Sequence, residues 1–292
     1  MHYLSRLFEE KFWATLTLLT FCLVGIASIF WSINHPYGIH WDEASYINLA
    51  HKDIIFFKDQ GFLGLAASIV GGDRSRPAAY RLLAIPITLI AGVDSGILRF
   101  ISVLFWGISL IFVYLAAKRL AGPPAGGFAT VFLGICPTII SSIMAYGTEY
   151  PLYLSIAATL HFLFLDWNCH RKASRNWIGL GLALGLGAWS KASFGVVVVP
   201  IMLLAFALSW RRVVVGPSPK FLLKAVALAI ALASPWWLLN FQQSLAYIRT
   251  ASSFERHSLG PPSLATWIKW LDRFAHFGIG YPLTLLTIAI LL

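Results

Sequence analysis

Apolar residues run for membrane-length stretches along this chain, and the polar residues gather between them. Seven stretches, roughly 12–33, 96–117, 126–146, 150–167, 177–190, 193–210 and 221–240, approach the ~20 apolar residues that cross a bilayer, and an eighth begins near 276. Residues 177–210 carry one charge, Lys191 in WSKASFG. As one helix they would reach about 51 Å, against about 30 Å of hydrocarbon. The pattern therefore predicts a fold-back, with Lys191 in the turn at one interface. Pro137 and Pro200 predict kinks, and Gly181 with Gly185 a close helix contact.

The segments between spans have periodicities of their own. In 34–95, Tyr46, Ala50, Ile54 and Phe57 recur on one helical face, with His51, Lys52, Asp53 and Lys58 between them. This predicts an amphipathic helix over 43–57 lying in the headgroup plane. Gly71-Gly72 breaks it. Residues 79–93 follow, short and interrupted by Arg81 and Pro86, and predict an interfacial or re-entrant helix. The alternative is a further span, which would invert the topology downstream. Within 241–275, Pro261-Pro262 and a capping Ser263 introduce a third surface helix with Leu264, Trp267, Leu271 and Phe274 as its stripe. Trp236, Trp237, Trp267 and Trp270 are expected to form an outer aromatic belt. The predicted fold is all-α: one polytopic transmembrane helical domain over 1–292, with interfacial helices in the external loops 34–95 and 241–275. The chain stops at TIAILL inside an apolar run, so the domain is expected to be incomplete at its C-terminus.

Composition agrees with lipid as the main solvent: 58% of residues are hydrophobic and 12% charged. The net charge of +10 is scattered between apolar runs, which favours anionic headgroups over nucleic acid as the partner. With the N-terminus cytoplasmic, the inner segments hold eleven basic residues and three acids, and the rest eleven and nine. That bias places the N-terminus inside. Asp42, Glu149 and Lys191 then all lie at the outer face, as expected for a multi-pass protein of a bacterial inner membrane. The run 12–33 is too long for a signal peptide and ends in Phe30-Trp31 without a small-residue cleavage site, so it is a retained anchor. Cys22, Cys136 and Cys169 are too scattered for a readable disulfide or zinc pattern, and His40, His51 and His257 have no metal-ligand spacing. No metal or cofactor is predicted.

The candidate chemistry lies in a few polar residues. Asp42 and Glu43, in HWDEASY, either complement the dipole of the helix they open or supply an acid that takes a proton from an acceptor. Glu149 is either the acid of a tight turn or, with Lys191 and Asp42-Glu43, one of the charges gathered on one side of the membrane that mark function. Lys191 in turn either snorkels to the interface or belongs to that cluster. Arg74 and Arg76 either contact headgroups or hold a phosphate diester.

The order of these features resembles the GT-C glycosyltransferases. The carriers are an apolar span, then Asp42-Glu43-Ala44 with Tyr46, then Arg76-Pro77 with Tyr80 before an apolar helix. Thr148-Glu149, the Gly179–Pro200 stretch around Lys191, and Pro235-Trp236 follow in order. Similar patterns occur in the protein O-mannosyltransferases (dolichyl-phosphate-mannose-protein mannosyltransferases) and the lipid A aminoarabinose transferases. The chain departs from them at Ser45, where an Arg is frequent, and at Arg76-Pro77-Ala78, where Lys before a double proline is frequent. The resemblance implies a membrane transferase that moves a sugar from a polyprenyl-phosphate-linked donor to a protein, lipid or glycan acceptor at the outer or lumenal face. It implies Asp42 as general base or acceptor-orienting acid, supported by Glu43. Arg76 and Lys191 would hold the donor phosphate, and Glu149 would line the cavity. The competing expectations are a polytopic transporter or lipid flippase and a non-catalytic membrane partner. A transporter would favour inverted repeats around a midplane site, and the sequence contains no such repeat.

Overall fold

The computed structural model describes residues 2–34, 41–165, 176–210, 217–259 and 263–273. Among the described residues every regular element is a helix: α1 His2–Asn34, α2 Trp41–Gly71, α3 Ala79–Ala91, α4 Ser95–Ala121, α5 Pro123–Gly134, α6 Pro137–Ile143, α7 Glu149–Leu165, α8 Asn176–Ala188, α9 Ser193–Trp210, α10 Pro219–Leu259 and α11 Leu264–Arg273. Among these residues, five helices are long and apolar enough to cross a membrane, or six if the α5–α6 pair, bent by 63°, counts as one span. Pro137 stands at that bend, as its inability to continue a hydrogen-bonded helix requires. The chain is an all-α, multi-pass membrane bundle.

α2 meets the length test but is two limbs joined at Gly61, where φ is +65°. Its first limb carries Asp42, Glu43, His51, Lys52, Asp53, Lys58 and Asp59. Each such charge costs about 2.5–3.5 kcal/mol at a bilayer centre, and the helix extends beyond the expected end at 57. The polar face differs from expectation at one point: Asp53 is buried at 2% exposure. It is taken bidentately by Arg81 of α3, whose Nε lies 2.7 Å from Oδ2 and whose Nη2 meets Oδ1. Ser68, beyond Gly61, donates to the same carboxylate at 2.7 Å. One buried charge pair thus ties both limbs of α2 to α3.

α4 packs most closely on α7 and α5, α1 on α5, and α8 on α10. In lipid, apolar area alone does not drive helices together, so close approach depends on small residues. Gly181 and Gly185 behave as expected: added Cβ atoms would come within 2.8 Å and 3.0 Å of Leu228 and Leu232 on α10. α8 has only 13 residues, about 20 Å. It still places the fold-back near Lys191, where Ser190 N–H donates to Gly187 O and Phe194 N–H to Lys191 O, both at 3.0 Å.

The aromatic-belt expectation fails for Trp236, which is fully buried, and Trp237 points inward, donating to Ala188 O at 2.9 Å. The side chains of Trp267 and Trp270, Phe274, His40, His257, Cys169 and the run near 276 lie outside the described residues. α11 covers most of the predicted third surface helix. α10 runs well past the predicted end near 240. Inside it Pro235 leaves Ala231 O without its usual N–H, and Ser234 Oγ donates there at 3.2 Å.

Candidate active site

Four elements converge at one end of the bundle: the start of α2, the 72–78 loop, the start of α7 and the α8–α9 turn. The loop is shaped by Asp73, whose Oδ1 accepts from Ser75 N (2.9 Å), Ser75 Oγ (2.6 Å) and Arg76 N (3.2 Å). Gly72 has no room for a side chain, since a Cβ would lie 2.6 Å from Ser68 O and 3.0 Å from Arg81 Nη2. Ala79 N–H then donates to Trp189 O at 2.8 Å, fastening the loop to the turn that carries Lys191. That turn is fixed to α10 from both sides, by Trp189 Nε1 to Leu232 O and Trp237 Nε1 to Ala188 O, each 2.9 Å.

These elements enclose a cavity of about 340 Å³ whose lining includes Asp42, Tyr46, Arg76, Glu149, Lys191 and Tyr247. Arg76 Nη2 donates to Asp42 Oδ1 at 3.0 Å, and Lys191 Nζ to Glu149 Oε1 at 2.8 Å. The Arg76 guanidinium lies between two rings, 5.2 Å from the centre of Tyr46 and 5.0 Å from that of Tyr247, within cation–π range. Tyr46 packs on Tyr80 with 4.8 Å between ring centres, and the Tyr80 carbonyl accepts from the hydroxyls of both Tyr146 and Tyr150. This aromatic floor is buried. Burial pushes the Tyr46 hydroxyl well above its ordinary range, so it stays protonated at neutral pH.

Four of the five sequence-predicted residues, Asp42, Arg76, Glu149 and Lys191, thus share one cavity. Glu43 does not line it. Its carboxylate, 2% exposed, is gripped by Arg99 Nε at 2.7 Å and Nη2 at 2.8 Å. Its Oε1 also accepts Tyr146 N–H at 2.9 Å. One helical step, 100°, separates the adjacent acids, so one turns to the cavity and the other into the bundle. Expected as a substrate-binding residue, Glu43 is placed as a brace between α2, α4 and the approach to α7.

Sequence reasoning missed the α10 wall. Asn240 donates to Val70 O at 3.1 Å, Ser244 to Arg74 O at 3.2 Å, and Tyr247 covers Arg76. Their spacing of i, i+4, i+7 is a polar stripe on one helical face, a signal that was there to be read. Among the described residues no group of three His, Cys, Asp or Glu side chains is arranged to hold a metal ion.

An apolar groove of about 520 Å³ between α9 and α10 borders the polar cavity, and Lys191, Ala192 and Trp237 line both. The groove is walled by residues such as Phe194, Val198, Met202, Phe206, Leu222 and Val226. From Phe194 to Phe206 it follows α9 for about 18 Å.

The fold and cavity define a polytopic membrane protein with a charged pocket beside an apolar groove. The family described as dolichyl-phosphate-mannose-protein mannosyltransferase matches residues 75–239, more than half of the chain, and the chain belongs to that family. Among curated relatives, an undecaprenyl phosphate-alpha-4-amino-4-deoxy-L-arabinose arabinosyl transferase 2 of Pseudomonas fluorescens Pf-5 is 27% identical over 164 residues. That match covers 55% of this chain and 28% of the relative. The protein of the same name from strain Pf0-1 is 26% identical over 183 residues, 60% of this chain and 32% of the relative. The matched region thus spans about a third or less of these relatives' length. No solved structure matches the chain.

Proposed function

We propose that this chain is a membrane glycosyltransferase that takes a sugar from a polyprenyl-phosphate-linked donor and passes it to a protein, lipid or glycan acceptor. The supporting observation is the adjacency of the two spaces. A pocket with two cations shares Lys191, Ala192 and Trp237 as a common wall with an apolar groove. That form suits a phosphate at the head of an isoprenoid chain. The family and the donor lipid in the relatives' names point the same way. The charge bias of the sequence supports a cytoplasmic N-terminus and a cavity at the outer face, and a bacterial inner membrane is the proposed location.

In this mechanism the acceptor hydroxyl or amine attacks the anomeric carbon while the bond from that carbon to the phosphate oxygen breaks. The electron pair leaves with the phosphate as polyprenyl phosphate, and the acceptor's proton passes to Asp42. Arg76 and Lys191 stabilise the charge growing on the leaving phosphate, an effect worth about 2.7–4 kcal/mol per well-placed donor in comparable sites. Glu149 holds Lys191 at the cavity wall. The Tyr46 ring, against which the Arg76 guanidinium lies, helps fix Arg76.

The test is transfer by membranes carrying the chain, supplied with radiolabelled polyprenyl-phosphate sugars. The amino-sugar donor in the relatives' names is the first probe. Label should move to an acceptor, and Asp42→Asn should lower the rate by about 10²–10⁴-fold, the usual contribution of a general base. Transfer unchanged in Asp42→Asn rejects the base. Lipid crossing the bilayer with no transfer favours the flippase reading.

A further inference from the structure

Three arginine–carboxylate pairs stand at this end of the bundle, and they are not alike. Arg81 and Arg99 each grip their acid with both Nε and Nη2, at 0–1% exposure for the arginine and 2% for the carboxylate. Arg76 meets Asp42 through Nη2, while its buried Nε has no hydrogen-bond partner. The side chains here are 18% and 46% exposed. A guanidinium is built to present Nε–H and one Nη–H side by side to two oxygens of one anion. In Arg76 that fork is half used, and the group occupying it is the acid proposed as the base. The second cation is occupied likewise, by Glu149.

We infer that the cavity's two cations are neutralised by its own carboxylates, and that the phosphate of the lipid donor binds by displacing Asp42 from Arg76. Donor binding then frees the base, so the donor enters before the acceptor can be deprotonated. The inference rests on the proposed function and adds to it an order of events.

The geometry says which partner moves. Arg76 is clamped between Tyr46 and Tyr247, and its backbone N–H is tied to Asp73. Asp42 has a short side chain in the first turn of α2 and is the more exposed of the pair. A side-chain rotation of Asp42 opens both prongs of a stationary fork, and one phosphate oxygen satisfies the Nε that has no partner. The exchange is easy because a partly exposed ion pair contributes little net stability. The sealed pairs at Arg81 and Arg99 would lose far more and stay shut.

A mere binding role for Asp42 would not produce the consequence that follows: the variant that abolishes transfer should bind the lipid phosphate more tightly. Asp42→Asn removes the competing charge, and its repulsion of the incoming phosphate, without changing shape. The 292-residue chain in nanodiscs is titrated with undecaprenyl phosphate carrying no sugar. Asp42→Asn should tighten binding about three- to tenfold, Glu149→Gln should tighten it in the same direction, and Arg76→Gln should weaken it at least tenfold. Thermal melts confirm that each variant is folded. Weaker or unchanged binding by folded Asp42→Asn, with the parent binding normally, overturns the displacement and leaves the glycosyltransferase proposal standing. No binding by the folded parent overturns both.

Discussion

The Glu43–Arg99 pair allows the sharpest test of how this site is held together. The carboxylate accepts three hydrogen bonds, two from Arg99 and one from Tyr146 N–H, and both side chains are at most 2% exposed. Arg99→Met leaves a buried carboxylate with its Tyr146 bond and no countercharge. Glu43→Gln sets an amide NH₂ against the Nη2 donor and leaves the guanidinium unpaired. Breaking one side of such a pair costs about 3–5 kcal/mol, whereas replacing both charges is often close to neutral. At about 2–3 °C per kcal/mol for a chain of this size, each single variant should melt roughly 6–15 °C below the parent. The double variant Glu43→Gln/Arg99→Met keeps an oxygen for Tyr146 N–H and should recover at least half of that loss. Melting in detergent is followed with a thiol-reactive dye, for which the buried Cys136 is a built-in reporter. Single-variant losses below about 1 kcal/mol, the level of surface pairs, would refute the brace. The double variant also separates the two roles considered for Glu43: a brace predicts that the refolded site still transfers sugar, and a substrate ligand predicts a stable but inactive protein.

Two further expectations concern the groove and the membrane face. Gly195 lines the groove with open space around it, so Gly195→Trp should fill the groove and weaken undecaprenyl-phosphate binding at least tenfold. A short-chain prenyl phosphate should be affected less than twofold; equal loss for both would show that the groove does not hold the tail. Ser193, exposed at the cavity mouth, reports orientation. In a cysteine-free background Ser193→Cys should react with an impermeant maleimide from outside intact spheroplasts, and protection until lysis would invert the topology.

Much of this architecture was legible because lipid makes backbone hydrogen bonding obligatory, so the length and polarity of each run dictate its structure. The 177–210 fold-back, the bend at Pro137, the short helix after Arg76-Pro77 and the Gly181/Gly185 contact all follow from local rules. The gathering of Asp42, Arg76, Glu149 and Lys191 was also approachable, since topology places their loops at one face. Partner choice was not. Nothing local says that Glu43 meets Arg99, 56 residues away, or that Asp53 meets Arg81. Asp53 fits the polar face of an amphipathic helix by spacing alone, and only the return of α3 across α2 makes that face an interior. Trp236 misled for a related reason: a span ending in Pro-Trp reads as a belt, but α10 continues for a further 23 residues and buries the ring.

A chain with twelve acids concentrates five of them at this corner. Asp42, Glu43, Asp53, Asp73 and Glu149 all serve this corner, each with a defined donor. An unpaired charge at membrane depth is costly, so acids accumulate where cations and N–H groups are already arranged to meet them. Two of these pairs are sealed, each arginine gripping its acid through both Nε and Nη2, which makes the surroundings rigid. The pairs facing the cavity are part-exposed, and the Arg76 pair leaves a prong idle. Rigidity around an exchangeable pair is what a site needs if it is to trade a carboxylate for a phosphate without moving its cation. Loosening the brace at Glu43–Arg99 should therefore blunt the difference in lipid-phosphate binding between the parent and Asp42→Asn. Measured in the Arg99→Met background, that difference should shrink toward unity; its persistence at full size would mean that the clamp on Arg76 does not depend on the buried pair.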